Sequence, residues 1–374
     1  MSGLFNSNNP PPISTHGQDD PTPSEETTMS LLSRVTKFLT NWRHTSSLPN
    51  EPDATAVPQS WHHFNHDQTT WLPITPSEPS VSSAANNNNA AESEATNRGN
   101  PPLLTLLTWN VDALANHPEP RILGILSTVR TQSPQPDILF FQEVSKPALA
   151  SLLSHPWIRS HWYSSESDVT HWLGQQFAAI TLLSRRTFSH IHRDDIPNHR
   201  LGQIWRVRYP SRFARDALCC DIFIRPLNTR VRLVNVHLDS LPIQPSLRTR
   251  QLAIVANMLH AAGRGVVAGD FNPVLPGDDE LVQANRLADV WTELQGTEGF
   301  TWGIDGKQPF PPGRLDKIAM VGLEAKTIDV IHPGVLSNTD KVDESQDGKD
   351  ELISTVPWSD HSGLKCSFGL VDVQ

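Results

Sequence analysis

Cysteine is scarce in this chain of 374 residues, which contains only three cysteines. Cys219 and Cys220 are neighbours, and neighbouring side chains on a strand point to opposite faces, so these two do not readily pair with each other. Together with the distant Cys366 they exclude a disulfide framework of the kind that stabilises small secreted domains. No combination of cysteine and histidine has the spacing of a zinc site. We therefore expect a reduced, intracellular protein in the nucleus or the cytoplasm.

Long apolar runs and an overall excess of positive charge are also absent. No apolar segment reaches the roughly 20 residues that span a membrane, and no signal peptide is visible at the acidic, proline-rich start. The formal net charge is -10, which argues against a protein that coats nucleic acid. Residues 185–250, however, contain 13 arginines against 5 aspartates, without lysine or glutamate. We interpret this segment as a phosphate-facing surface, the alternative being a series of solvated strand faces.

Composition divides the chain into two regions. Residues 1–100 are polar and low in complexity, and we predict that most of this region is disordered because it buries too little apolar surface to offset chain entropy. Apolar residues at helical spacing predict an amphipathic helix at 30–44, which either binds a protein or membrane partner or packs on the domain that follows. Trp61, Phe64 and Trp71 form a second apolar island, expected to lie on that domain as a strap.

Residues 101–374 form the predicted folded domain, which we expect to be monomeric. Its short continuous apolar runs are typical of strands buried on both faces. They predict strands at 104–109, 137–141, 177–183, 217–224, 231–236, 265–268, 315–321, 327–332 and 364–370. Helices are predicted at 119–131, 246–261 and 279–287. Many strands with few helices between them favour two packed sheets with flanking helices.

Polar residues recur where these predicted strands end. Asp270 and Asn272 are two positions apart at such an end, and residues at this spacing point to the same side of a strand. A carboxylate and a carboxamide in one cleft are suited to orienting a water molecule and contacting a phosphate oxygen. Other hydrolase-type residues border the predicted strands: Asn110, Glu143, His237 and Ser240 follow strands, Asp316 begins one, and Asp360 and His361 precede the last one. Turn chemistry explains one such coincidence but not the whole series, which predicts a cleft along one edge of the sheets.

The order of these motifs resembles that of the endonuclease/exonuclease/phosphatase superfamily. Between residues 103 and 370 the motifs read Thr-Trp-Asn110, Gln-Glu143, His237-Leu-Asp-Ser240, Gly-Asp270-Phe-Asn272, Arg-Leu-Asp316 and Ser-Asp360-His361. Shorter strings add a looser likeness to the tyrosyl-DNA phosphodiesterase 2 subfamily, among them Tyr209-Pro-Ser-Arg-Phe-Ala-Arg215, Asp289-Val-Trp291 and Phe300-Thr-Trp302. The resemblance implies an α/β fold: a four-layer α/β sandwich of two packed, mainly antiparallel sheets flanked by helices, with residues 101–374 as the catalytic domain.

Two positions depart from the pattern of this subfamily. Phe271 stands where a small residue lies between the aspartate and the asparagine, and Ser362 stands where tryptophan tends to follow the Ser-Asp-His motif. Both positions are expected beside the cleft, where they bear on the fit of the leaving group. The signatures of inositol polyphosphate phosphatases are absent.

A metal site and a base follow from the residue types and from the resemblance. Mg²⁺ prefers oxygen ligands and needs only one or two protein carboxylates, so Glu143 with Asn110 is the predicted magnesium site, with Mn²⁺ as the alternative ion. Asp270 is predicted to orient and deprotonate the attacking water. Asn272 is predicted to hold that water or the phosphate.

The predicted phosphate contacts are His361, His237 and Ser240. His361 donates to a phosphate oxygen while a carboxylate holds its other nitrogen. Adjacent side chains seldom face each other, so Asp316 is expected to be that carboxylate, and Asp360 is expected to reach the metal through water.

A groove for single-stranded DNA is predicted at Arg215, Arg248 and Trp302, through phosphate contact and base stacking, although Trp302 equally fits a core position. The leading hypothesis is a Mg²⁺-dependent phosphodiesterase that removes tyrosine or peptide adducts from DNA 5′ ends in DNA repair. A phenol, with a pKa near ~10, yields a better leaving group than an alkoxide. The alternatives are a lipid or small-molecule phosphodiesterase or phosphatase of the same superfamily, an apurinic-site endonuclease, and a non-catalytic binding module.

Overall fold

A computed structural model describes residues 54–74, 103–172, 174–191, 198–308, 310–336 and 356–371. The helix predicted at 30–44 lies outside these residues. Within the described ranges, no helix is both long enough and apolar enough to cross a membrane.

The described strands are numbered in chain order. They are β1 (Thr55–Gln59), β2 (Trp61–Asn65), β3 (Thr70–Ile74), β4 (Leu104–Asn110), β5 (Ile138–Ser145), β6 (Trp162–Ser164), β7 (Phe177–Ser184), β8 (Phe188–Ser189), β9 (His199–Arg208), β10 (Asp216–Ile224), β11 (Thr229–His237), β12 (Gly265–Asp270), β13 (Ala288–Asp289), β14 (Asp316–Val321), β15 (Leu323–Ile331), β16 (Val335–Leu336), β17 (Val356–Pro357) and β18 (Gly363–Leu370). The helices are α1 (Pro118–Arg130), α2 (Lys146–Ser154), α3 (Pro156–His161), α4 (Arg248–Ala262), α5 (Leu281–Ala284) and α6 (Val290–Leu294), with 3-10 turns at Thr170–Trp172 and Asp278–Glu280.

Two eight-stranded sheets contain almost all of these strands. Sheet A has the order β1-β9-β10-β11-β12-β14-β13, with β8 beside β9. Sheet B has the order β15-β18-β4-β5-β7-β6-β2-β3, and β16 pairs separately with β17. Three pairs are parallel, namely β4 with β5, β11 with β12, and β8 with β9, and the other pairs in the two sheets are antiparallel. Both sheets are therefore mixed but mainly antiparallel, as the family resemblance implied.

Apolar side chains pack the sheets and helices into four layers. The inner faces meet in a core that includes Leu106 and Phe140 from sheet B and Leu233 and Val266 from sheet A. On the outer face of sheet B a second cluster buries the apolar stripes of α1 and α2. On the outer face of sheet A a third cluster includes the α4 stripe of Leu252, Val255, Ala256 and Leu259. The order helix, sheet, sheet, helix is the predicted α/β sandwich.

The end of α4 shows how the local sequence determines where a helix stops. The helix ends at Gly263, whose φ of 77° lies in the left-handed region that glycine adopts without steric cost. The Gly263 N–H closes the helix by donating to the carbonyls of Leu259 and His260. The stop directs the chain straight into β12, which carries Asp270 at its end.

The N-terminal boundary of the folded domain differs from the predicted one at residue 101. Residues 55–74 form β1, which pairs with β9, and the hairpin of β2 and β3, which pairs with β6. Trp61, expected in a strap, is fully buried in β2 and donates its indole N–H to the carbonyl of Gly202 at 3.0 Å. The segment therefore completes both sheets. Its strands are short and contain few aliphatic residues, so continuous apolar runs did not reveal them.

Candidate active site

The predicted polar residues meet at one edge of the sandwich. β4 and β5 run parallel in one sheet, and β11 and β12 run parallel in the other, so each pair presents its carboxyl ends at the same edge. At these ends lie Asn110, Glu143, His237 and Asp270. The side-chain amide of Asn110 donates to Asp270 Oδ2 at 3.0 Å, and this bond joins the two sheets.

Asp270 is the buried centre of the cluster. Its Oδ2 accepts from Asn110, and its Oδ1 accepts from the backbone N–H of Asn272 at 3.0 Å. Asn272 has a φ of 48° and donates its side-chain amide to the carbonyl of Leu238 at 3.1 Å. The Asp270 and Asn272 pair thus forms a closed turn at the end of β12 that fixes the carboxylate at the edge of the sheet.

His361 is held by two carboxylates. Its Nδ1 lies 2.7 Å from Asp316 Oδ2, and its Nε2 lies 3.9 Å from Asp270 Oδ2. Asp316 is itself fixed by its backbone N–H, which donates to the Thr301 hydroxyl oxygen at 3.0 Å. Asp316 is thus the carboxylate that pairs with the ring, as expected from the sequence. Asp360 turns away and accepts instead from the indole N–H of Trp302 at 3.0 Å.

Glu143 and His237 face each other across the cleft. Glu143 has a φ of 55°, and its Oε2 accepts from the backbone N–H of Ala113 at 2.9 Å. His237 Nε2 lies 3.7 Å from Glu143 Oε1 and 3.5 Å from Asp270 Oδ2. The His237 ring stacks on Phe177, with the ring centroids 6.4 Å apart.

Burial and neighbouring charges shift the pKa values of the two histidines in opposite directions. Burial lowers the pKa of His237 well below its usual value, and the Arg215 guanidinium lowers it further, so this ring is neutral. Burial also opposes the charge of His361, but Asp316 and then Asp360 raise its pKa well above the usual value. His361 is therefore a charged donor, whereas His237 is a neutral ring.

Asp270 differs from a surface aspartate in its protonation. Burial raises the pKa of Asp270 to about 7; His361 opposes the shift, and the carboxylates of Asp316 and Glu143 add to it. A carboxyl group with a pKa near the working pH is suited to exchange a proton with water.

Glu143 and Asn110 offer oxygen donors for a divalent cation. Each is held by a backbone N–H, from Ala113 to the carboxylate at 2.9 Å and from Asp112 to the amide oxygen at 3.0 Å, which leaves further lone pairs available. No group of three or more His, Cys, Asp or Glu side chains in the described part of the chain is arranged to hold a metal ion. Mg²⁺ needs only one or two carboxylates and keeps several waters, so this donor set fits it.

Asp112 is a site residue that the sequence analysis missed. It follows β4 with a φ of 54° and forms a 3.1 Å ion pair with Arg121, which is buried in α1. Burial and then the nearby Asp360 raise the pKa of Asp112 to about 7 in spite of that guanidinium. Asp112 stands two positions after Asn110, and the spacing that identified the Asp270 turn would also have identified it.

Arg215 lines a recess beside His237. The recess encloses about 250 Å³ of space open to solvent and is lined by Glu143, Gln175, Phe177, Ala178, Ala179, Arg215, Asp216 and His237. The Arg215 guanidinium lies 4.9 Å from the centroid of the Phe177 ring, and its buried Nε has no hydrogen-bond partner among the described atoms. Gln175 donates its side-chain amide to the carbonyl of Ala214, which ties the two sides of the recess together.

Arg248, predicted as a substrate contact, is a buried structural residue. Its guanidinium forms a 2.9 Å ion pair with Asp278 and donates to the carbonyls of Asp239 and Leu241 at 2.7 and 3.1 Å. Only 1% of Arg248 is exposed, so a phosphate cannot reach it in this conformation. It braces the loop after β11 that carries Ser240, which is half-buried.

The arginines of residues 185–250 do not form one phosphate-facing surface. Five of those described are engaged within the fold: Arg186 with Asp137, Arg206 with Glu166 and Asp216, Arg232 with Asp221, Arg248 with Asp278, and Arg200 over the Phe223 ring. The interpretation failed because four of these arginines pair with carboxylates on neighbouring strands or on distant parts of the chain, and local composition does not reveal such pairs.

The two positions that depart from the subfamily pattern do not line the cleft. Phe271 is 3% exposed and packs in the cluster between sheet A and α4. Ser362 is buried, and its hydroxyl lies 3.0 Å from His332 Nδ1. Neither side chain is among those that line the recess beside Arg215.

Comparison with known proteins identifies the family. The sequence model of the Endonuclease/Exonuclease/phosphatase family matches residues 107–361. Tyrosyl-DNA phosphodiesterase 2 of Homo sapiens is 24% identical over 258 residues, which cover 67% of this chain and 60% of that protein. The chain thus matches less than two thirds of the length of this curated relative.

Solved structures share the fold. D. rerio TDP2 in complex with a single-strand DNA product gives a TM-score of 0.53 at 20% identity and covers 71% of this chain and 99% of that chain. TDP2 from C. elegans gives 0.50 at 21% identity, covering 71% and 75%. An endonuclease/exonuclease/phosphatase family protein from Bacteroides thetaiotaomicron gives 0.52 at 14% identity, covering 73% and 100%. With the family match over most of its length, the chain belongs to the endonuclease/exonuclease/phosphatase family.

Proposed function

We propose that this protein is a Mg²⁺-dependent phosphodiesterase that removes tyrosine or peptide adducts from DNA 5′ ends. The observation that carries the proposal is the arrangement of His361 between Asp316 and Asp270, at 2.7 and 3.9 Å, with Asn110 and Glu143 beside it. A charged donor and a buried carboxyl group with a pKa near 7 are thus adjacent. Hydrolysis of a phosphodiester needs this combination, since negative charge must be neutralised while water is deprotonated.

Asp270 and His361 carry the proton chemistry in this proposal. Asp270, ionised, takes a proton from the attacking water, and Asn272 orients that water or a phosphate oxygen. His361 donates from Nε2 to a non-bridging oxygen while Asp316 keeps Nδ1 protonated. His237, neutral, contributes a single N–H to the phosphate, together with the hydroxyl of Ser240.

Glu143 and Asn110 would hold the cation. Mg²⁺ bound there supplies neutralisation of phosphate charge and stabilisation of the departing oxygen. Asp360, whose carboxylate accepts from the Trp302 indole N–H at 3.0 Å, is proposed to reach the ion through water.

The choice of a tyrosyl leaving group rests on chemistry and on similarity. In this mechanism no side chain protonates the leaving oxygen, and a phenolate leaves without such help because the pKa of phenol is about 10. The curated relative is a tyrosyl-DNA phosphodiesterase, and one structural neighbour holds a single-strand DNA product. Arg215 in the recess and Trp302 at the rim are the proposed contacts for this strand.

The test uses full-length protein and single-stranded DNA that carries a 5′-phosphotyrosine and a 3′ label. We expect a 5′-phosphate product that requires Mg²⁺ and disappears with chelator or with Asp270→Asn. The same DNA with an internal apurinic site, a lysophospholipid phosphodiester and bis(p-nitrophenyl) phosphate serve as competing substrates. Hydrolysis of a competitor without release of tyrosine would retain the phosphodiesterase chemistry and refute the adduct assignment. Absence of hydrolysis of all four would favour a non-catalytic binding module.

A further inference from the structure

Glu143 leaves its strand at an irregularity in sheet B. Along the pairing of β5 with β7, Phe141 lies opposite Ile180 and Val144 lies opposite Ala178. Two residues of β5 are therefore matched by one residue of β7, which is a β-bulge. The bulge gives Glu143 a φ of 55°, rare for a residue with a side chain, and turns its carboxylate into the cleft.

Asn235 of the opposite sheet satisfies the backbone at this bulge. Its side-chain amide donates to the carbonyls of Phe141 and Ile180 at 3.3 and 2.9 Å. Its Oδ1 accepts from the side-chain amide of Gln142 at 2.8 Å, and Gln142 also donates to the Thr108 hydroxyl at 2.9 Å. Asn235 and Gln142 are both fully buried, so no exchange with bulk water competes for these bonds.

The neighbouring strand leaves room for this bridge. Gly269 of β12 has a φ of 139°, and a Cβ at this position would approach Gln142 Nε2 to 3.1 Å and the carbonyl oxygen of Val236 to 2.0 Å. A larger residue would clash with the Val236 carbonyl of the neighbouring strand and would crowd the Gln142 amide. Glycine at this position therefore leaves space for Gln142 between the two sheets.

The same residue lies under His237. Asn235 and His237 are two positions apart on β11, and both point toward sheet B, as Leu233 does. Through Asn235, the strand that carries His237 is bonded to the bulge that carries Glu143. A polar contact between the sheets therefore lies directly beneath the pair of His237 Nε2 and Glu143 Oε1, which are 3.7 Å apart.

We propose that Asn235 is a positioning residue that holds the Glu143 bulge open and so sets the cation affinity of the cleft. The inference rests on the proposed metal-assisted hydrolysis and adds to it the residue that fixes the metal-binding carboxylate. Asn235 touches neither substrate nor cation. It acts through the backbone of Phe141 and the amide of Gln142, as outer-shell partners of metal ligands do.

The test compares two neighbouring core positions in the full-length protein. Asn235→Asp keeps the size of the side chain but replaces the amide NH₂, which donates to Phe141 and Ile180, with an oxygen. Asn235→Ala removes all side-chain bonds to Phe141, Ile180 and Gln142. The control is Val234→Ala, at a buried position on the other face of the same strand, where the side chain packs among apolar residues. Mn²⁺ binding is measured by electron paramagnetic resonance without substrate, and thermal unfolding is recorded for each variant.

Both Asn235 variants are expected to bind Mn²⁺ about 10- to 100-fold more weakly than the unmodified protein, as is typical when an outer-shell partner is lost. Their kcat on bis(p-nitrophenyl) phosphate should recover toward the original value at saturating Mn²⁺, with KM unchanged. Val234→Ala should lower the melting temperature and leave Mn²⁺ affinity within twofold.

Unchanged Mn²⁺ affinity in a folded Asn235→Asp or Asn235→Ala protein would overturn the proposal. An equal loss of affinity in Val234→Ala would also overturn it, because general loosening of the core would then be sufficient. Failure of the proposed adduct activity has a different signature, namely intact Mn²⁺ binding and intact hydrolysis of bis(p-nitrophenyl) phosphate without release of tyrosine from DNA.

Discussion

Asp270 and Asp316 are direct cross-strand partners at the ends of β12 and β14, and the imidazole of His361 lies within 4 Å of a carboxylate oxygen of each. Like charges placed directly opposite each other destabilise an antiparallel pair. The charge of His361 offsets this repulsion; burial opposes that charge, but the carboxylates of Asp316, then Asp360 and Asp270, raise the pKa of the imidazole. The proposed donor is therefore also a structural counter-charge.

Replacement of His361 with alanine should reduce both activity and stability. We expect kcat to fall by roughly 10²- to 10⁴-fold, the usual contribution of a positioned proton donor. The melting temperature of the metal-free protein should fall more at pH 8 than at pH 5, because both carboxylates are ionised at the higher pH. Thermal melts in chelator at the two pH values measure this difference. In the double variant His361→Ala with Asp316→Asn, stability at pH 8 should return while activity does not; a double variant as unstable as the single one would contradict the counter-charge explanation.

The raised pKa of Asp270 predicts how stability depends on pH without metal. Its folded pKa is about 7, against roughly 3.9 in an unfolded chain. Between these values the folded state binds the extra proton, so this group makes stability fall as the pH rises from about 4 to 7, and the effect levels off above 7. Asp270→Asn should flatten the curve. The flattening should be partial because Asp112, with a pKa also raised to about 7, contributes a slope of the same sign.

The double variant Asp270→Asn with Glu143→Gln should abolish turnover. One substitution removes the proposed base and the other removes the proposed metal-binding carboxylate, while both preserve side-chain size. Single-turnover assays on the 5′-phosphotyrosine DNA, with a circular dichroism spectrum to confirm folding, measure the loss. Activity equal to that of the unmodified protein would remove both residues from the mechanism.

Arg248 and Arg215 should respond to substitution in opposite ways. Arg248→Met leaves Asp278 buried without its partner and should cost about 3–5 kcal/mol of unfolding free energy. Arg215→Gln should leave the melting temperature nearly unchanged but lower kcat/KM on DNA by roughly 10- to 100-fold. It should also make the slope of log affinity against log salt shallower by about 0.7, as expected for one lost phosphate contact on a single strand. If the folded fraction of Arg248→Met shows a changed slope of log DNA affinity against log salt, the assignment of Arg248 as a purely structural residue is wrong.

The N-terminal limit of the folded domain is testable with two truncations. A chain that begins at Ala54 keeps the indole bond of Trp61 to Gly202 and the Gln59 bonds to Ser165 and Glu166. A chain that begins at residue 101 exposes the partners of all these groups. We expect the shorter chain to aggregate or to have a melting temperature lower by about 10 °C or more, because it no longer buries several aromatic side chains. Equal melting temperatures would show that β1 to β3 are dispensable.

The positions of several proposed catalytic residues were accessible from sequence because they border continuous apolar runs. Such runs mark strands buried on both faces, and a hydrolase-type residue at either end lies at a sheet edge. Asn110 and Asp270 were found at the ends of such runs, and Asp316, the partner of His361, was found at the start of one. Asp112 was missed although it stands two positions after Asn110, the spacing that identified the Asp270 turn. β9 was not accessible, because it contains three arginines that interrupt its apolar pattern.

Contacts between the sheets were beyond the reach of the sequence. The bond from Gln142 to Asn235 joins residues that are 93 positions apart, and the burial of Arg248 depends on Asp278, 30 positions away. Local patterns report which face a residue occupies, not which residue of the other sheet it meets. A buried arginine and a phosphate-binding arginine therefore have the same local signature.

The segment of β1 to β3 has a consequence for how natural variation in this protein should be interpreted. Twenty residues, from Thr55 to Ile74, add an edge strand to sheet A and two strands to sheet B, although no side chain of the proposed cleft comes from them. The segment therefore extends both the sheet that supplies His237 and the sheet that supplies Glu143. Alternative start sites, splice forms or proteolytic cuts that remove it should therefore be scored as loss-of-function changes, however far they lie from the catalytic motifs.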